Sequence, residues 1–170
     1  MKDTPFSEPE PWLRGRLAGI EPLVAPVFLS FALVREDLAK HAAGLSDEQV
    51  WRKIGGTSLG FHLNHIAGSV DRLTTYLTGA RLTERQLDFL RAESAPGLDL
   101  SALLQGVEKS LSASEEMLRR IDPNSLYETR TVGRRALPTT VIGLIVHLAE
   151  HTQRHLGQAI IIAKLLRQTV

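Results

Sequence analysis

A chain of 170 residues, 43% hydrophobic and 23% charged, is long enough for one domain with its own core and has an ordinary globular composition. A formal charge of +1 gives neither the basic footprint of a nucleic-acid binder nor the acidic excess of a disordered chain. Cysteine is absent, which excludes disulfides, thiolate ligands and a cysteine nucleophile.

The elements follow in chain order. Residues 1–21 read as an extended arm carrying Pro5, Pro9 and Pro11, with Trp12 expected to pack it onto the body. Prolines and acids stand where a secretory signal would need an apolar core, and no 18-residue uncharged apolar run occurs anywhere. The expectation is a cytoplasmic protein with no membrane span, whose single domain covers 22–170. The first long helix is predicted from Pro22 or Pro26 to His41, with Gly44 as its stop. Ser46-Asp-Glu-Gln49 is a capping box opening a short turn through Trp51, and Gly55-Gly56 breaks the chain. A second long helix is capped by Thr57 or Ser58 and ends at Gly79. Phe61, His65, Ser69, Arg72 and Tyr76 share one face of it, beside an apolar stripe of Leu63, Ile66, Val70, Leu73 and Leu77.

Residues 80–98 are polar, with a second capping box at Thr83–Gln86 that predicts a short helix ending before Pro96-Gly97. Such a connection is longer than neighbouring antiparallel helices need, so it is expected to cross along a bundle. The third long helix begins near Asp99 or Ser101, carries Leu103, Val107, Leu111 and Leu118, and is expected to end at Asp122-Pro-Asn124. Residues 125–138, with Arg130, Arg134 and Arg135, read as an extended excursion or loose hairpin. The fourth long helix follows Pro138, capped by Thr139 or Thr140, and is apolar nearly all round, which predicts extensive burial. Four long helices and one or two short ones imply an all-α four-helix bundle.

Three of the six histidines lie four residues apart on the last helix, in His147-Leu-Ala-Glu-His151-Thr-Gln-Arg-His155-Leu-Gly-Gln158. Imidazoles at that spacing rise from consecutive turns of one face, and two neighbours can converge on one ion. All three cannot, because eight residues separate the outer pair by about 12 Å along the axis. Two pairings compete. His147 and His151 with Glu150 as base match the H-x-x-E-H pattern of inverted zinc peptidases. Alternatively His151 and His155 bind together with a histidine from the second helix, His65 being the natural candidate and His62 lying one turn earlier.

Ser58-Leu-Gly-Phe-His-Leu-Asn-His65-Ile-Ala-Gly-Ser-Val-Asp-Arg-Leu73, followed by the His151-to-Gln158 run, resembles the DinB-like superfamily of metal-dependent four-helix bundles over roughly residues 22–167. The resemblance implies an up-down-down-up helix order with a long crossover between the second and third helices. It also implies a divalent metal held by His65, His151 and His155, with water completing the sphere. Zinc and nickel suit imidazole ligands, and iron is compatible. Three neutral ligands leave a coordination position open, as in a catalytic site. The implied activity is transfer or hydrolysis on a small molecule, through a metal-activated low-molecular-weight thiol or water. Gln158, Glu150, Arg154 and Tyr76 are candidates for supporting positions around the ligands. A non-catalytic metal- or ligand-binding stress-response bundle is the competing reading. A homodimer is compatible with such a bundle, though no residue requires one.

Overall fold

The computed structural model describes residues 8–168. Six α-helices are present among them: α1 (Ala25–Ala42), α2 (Asp47–Trp51), α3 (Leu59–Leu77), α4 (Glu84–Ala92), α5 (Leu100–Leu118) and α6 (Val141–Gln168). Two short strands, β1 (Thr129–Val132) and β2 (Leu137–Thr140), pair antiparallel between α5 and α6.

The predicted start signals operate as written. Ser46 and Thr83 each accept a bond from the backbone amide three residues on, and the Gln49 and Gln86 side-chain oxygens accept one from the cap backbone amide. Ser58 opens α3 and Asp99 opens α5 by the same kind of side-chain bond. Thr140 Oγ1 accepts from the Gly143 amide at 3.1 Å. The Val141 and Ile142 amides reach the carbonyls of Glu128 and Leu126 at 3.1 and 2.9 Å. Three otherwise orphaned donors at the start of α6 are therefore satisfied.

α1 packs against α6 and α5, and α3 packs against α5 and α6. The apolar stripes meet in one core that includes Phe31, Leu63, Ile66, Leu111, Leu148 and Leu156. Each such side chain contributes about 1.5–3 kcal/mol by leaving water. Polar contacts fix which ends meet. Ser30, early in α1, bonds the Ala149 carbonyl of α6 at 3.2 Å, and Arg167 at the far end of α6 reaches the Ala43 carbonyl at 2.7 Å. Phe28 lies under the Arg119 guanidinium, which stands 4.9 Å from the ring centre just past the end of α5. Thr74 in α3 donates to Ser114 in α5 at 2.8 Å. α4 lies along α3, with Gln86 bonded to Asp71 and Thr75 at 2.9 and 2.7 Å. Gly60 leaves room for Trp51: a Cβ there would stand 2.8 Å from the indole, which donates to the Leu98 carbonyl at 2.8 Å.

Three expectations change. Of the arm, residues 1–7 lie outside the described residues, and Trp12 does not anchor the rest: it is 61% exposed, and its indole nitrogen donates to Glu10. Pro11 and Ile20 are buried instead, and Arg14 pairs with Glu36 on α1. α5 stops at Leu118, before the Asp122-Pro-Asn124 signal, which instead opens a 3-10 turn at Pro123–Ser125. The apolar girdle of α6 exceeds what its neighbours cover, leaving Val146 and Ile161 more than half exposed. The 125–138 segment is a hairpin, tied to the end of α3 by Arg130 Nε donating to the Leu77 carbonyl at 2.8 Å.

Candidate metal centre

α3 and α6 each carry histidines on the faces they turn toward one another. His65 Nε2 and His151 Nε2 stand 3.0 Å apart. One ring nitrogen from each of His65, His151 and His155 lies within 4.8 Å of the others. The three rings are half-buried, while His62 beside them is fully buried. His62 Nδ1 faces His155 Nδ1 at 3.1 Å, and its Nε2 meets the Thr57 hydroxyl at 3.2 Å.

Burial pushes the His62 and His151 rings down to about 4 and the His155 ring down to about 3, with the neighbouring His65 lowering each further. Near neutral pH these rings are uncharged and keep a lone pair to offer.

A carboxylate from the crossover completes this arrangement. Glu93, just past α4 and only 4% exposed, accepts from His65 Nδ1 at 2.7 Å and from Arg72 Nη1 at 2.7 Å. Its carbonyl accepts from the Asn64 amide at 3.2 Å. In a neutral ring, an Nδ1–H bond to this carboxylate selects the tautomer that presents Nε2 toward His151. Gly68 makes the approach feasible. A Cβ there would stand 2.5 Å from Glu93 Oε1 and 2.7 Å from Arg72 Nη1. Sequence reasoning missed Glu93, whose polar segment hides it. Two signals pointed toward it: a glycine inside α3, where a side chain would normally pack, and Arg72 on the His65 face.

The sequence profile of the DinB superfamily matches residues 30–159, about three quarters of the chain. The chain belongs to the DinB superfamily. No curated protein matches it significantly.

The donor set of this DinB-superfamily chain fits a divalent cation. Two nitrogens bound at 2.0–2.1 Å to one ion, about 90–110° apart, would be separated by about 2.8–3.4 Å. The His65–His151 spacing falls within that range. The other nitrogen of that ring, His151 Nδ1, is enclosed and meets no hydrogen-bond partner. His147 does not join the group: it is exposed, and its Nδ1 faces Glu150 at 3.2 Å. Glu150 is held by both oxygens to Arg154 Nη2 at 2.7 Å on the outer face of α6. The H-x-x-E-H residues therefore lie together on α6, but the convergent trio is the one that includes His65.

Gln158 and Arg154 line a cleft of about 510 Å³ with Ile54, Thr57, Ile161 and Leu165. Thr57 connects that cleft to the histidines through His62. Tyr76 sits eleven residues beyond His65 on α3, about 16 Å along the axis. Among the described residues no helix is long and apolar enough to cross a membrane.

Proposed function

We propose that this chain is a metal-dependent enzyme that transfers a low-molecular-weight thiol to, or hydrolyses, a small molecule. The observation that carries the reading is the convergence of three imidazoles from two helices, one of them aimed by a buried carboxylate. His65, His151 and His155 would hold the ion, and Glu93 would keep His65 in the binding tautomer. Bound there, a divalent ion such as zinc or nickel lowers the pKa of a coordinated thiol or water and supplies a nucleophile near neutral pH. The half-buried rings keep one side of the site accessible, and the adjoining cleft offers apolar walls with Arg154 and Gln158 for a small substrate. The end-to-end contacts among the long helices support a four-helix bundle in up-down-down-up order, with α4 on the crossover.

Elemental analysis after loading with zinc or nickel tests the first step. One ion per chain is expected, and His65→Ala, His151→Ala and His155→Ala should each lose it. Retention by His155→Ala with loss by His147→Ala would move the site to the H-x-x-E-H residues. The metal-loaded protein should then consume an electrophilic acceptor in the presence of a small thiol, or hydrolyse an ester or amide. Stoichiometric metal without turnover across such a panel would leave a metal-binding bundle in place of an enzyme.

A further inference from the structure

His62 is fully buried and lies outside the convergent trio, yet both its ring nitrogens are engaged. A buried imidazole so placed must satisfy two polar atoms, and here each partner constrains the other. His155 has its Nδ1 occupied by His62, so Nε2 is the nitrogen it has left for an ion. A neutral ring binding through Nε2 carries its proton on Nδ1. That proton can only be directed at His62 Nδ1, 3.1 Å away, which must then be the bare acceptor. His62 consequently carries its own proton on Nε2 and donates it to Thr57 Oγ1 at 3.2 Å. With an ion on His155 Nε2 only this direction of the string is possible; without one, the reverse direction from Thr57 through His62 to His155 Nδ1 pairs the same atoms.

From this geometry we infer that His62 is a positioning residue: with Thr57 it fixes the tautomer and aim of His155, as Glu93 does for His65. The inference rests on the metal reading above. The two helices thus share the work, since α3 supplies both a ligand and the partner that orients a ligand on α6. The neutral string also limits charge. Glu93 brings one negative charge to His65, whereas His62 brings none to His155, so the two ligands are held by partners of different basicity.

Zinc titration followed by calorimetry, on the full chain, tests the role. His62→Leu removes the acceptor and should weaken zinc binding by about 10–100-fold. His62→Asn restores an amide oxygen near the Nδ1 position and should recover most of that affinity. Nitrogen NMR of the zinc-loaded parent should show a proton on His155 Nδ1 and on His62 Nε2. This reads the string directly even if His62→Leu fails to fold. A parent that binds zinc while His62→Leu binds it equally well overturns this inference alone. So does loss of zinc by His62→Asn as complete as by His155→Ala, which would make His62 a ligand itself. A proton found on His62 Nδ1 overturns it too. A parent that takes up no zinc overturns this inference and the metal reading together.

Discussion

Glu93 joins three side chains of α3: a ligand candidate, a buried arginine and Asn64, whose amide donates to the Glu93 backbone carbonyl. Replacing it with glutamine keeps the shape and removes the charge. We expect Glu93→Gln to lower zinc affinity by about 10–100-fold in titration calorimetry, because the partner of a ligating histidine governs its basicity. Arg72 would also lose its counterion while 8% exposed. Breaking a buried pair in this way costs about 3–5 kcal/mol, which urea unfolding would register. Gly68→Ala should give the same metal defect with no polar group altered, since its Cβ must displace the carboxylate. Unchanged zinc affinity in Gly68→Ala would show that the site does not depend on that close approach. The competing histidine pairs were legible in the sequence because four-residue spacing puts neighbouring rings on one helix face, and the structure brings His151 and His155 together with His65. Glu93 was not, because Glu84, Asp88 and Glu93 share a polar stretch, and only tertiary packing separates one from the others.

Among the elements, helix starts were read best. A capping bond is made within four residues, so Ser46, Ser58, Thr83, Asp99 and Thr140 act as local grammar allows. Thr140→Val should destabilise the protein by about 1 kcal/mol in thermal or denaturant unfolding. Two neighbouring amides keep their bonds to Glu128 and Leu126, so α6 should keep its register. Ends and excursions were less legible. α5 stops short of its proline signal, and although 125–138 was read as an excursion or loose hairpin, where the hairpin docks depends on Arg130 reaching the end of α3. Trp12 failed as an anchor for a similar reason. Its size says that it can bury area, but only the packing of α1 and α6 decides whether a place exists for it.

Across the whole molecule, α1 and α5 are clasped by Arg35, which reaches Glu108 and Glu115 at 2.7 Å each. The guanidinium holds the Glu108 carboxyl below its ordinary range. A carboxyl lowered in the folded state contributes stability above its unfolded pKa of about 4.5, and loses it as pH falls through the folded value. The parent should therefore lose more stability than Arg35→Met as pH falls below about 4.5, measured by urea unfolding. The difference should be modest and should shrink in salt, because the Glu108 side chain is half exposed. Helix number and the apolar stripes were legible because they are periodic along the chain. Which helices touch, and at which ends, is not written in those stripes and was expected only through the family resemblance, because it depends on long-range contacts such as Ser30 with Ala149 and Arg167 with Ala43.

The link between α3 and α5 looks like a spacer, yet it delivers the carboxylate that steadies His65. A designer who grafted only the two histidine-bearing helices onto another scaffold would copy every imidazole and still obtain a looser grip on the ion. The transplant would have to carry a third strip of backbone, together with the glycine notch that receives it.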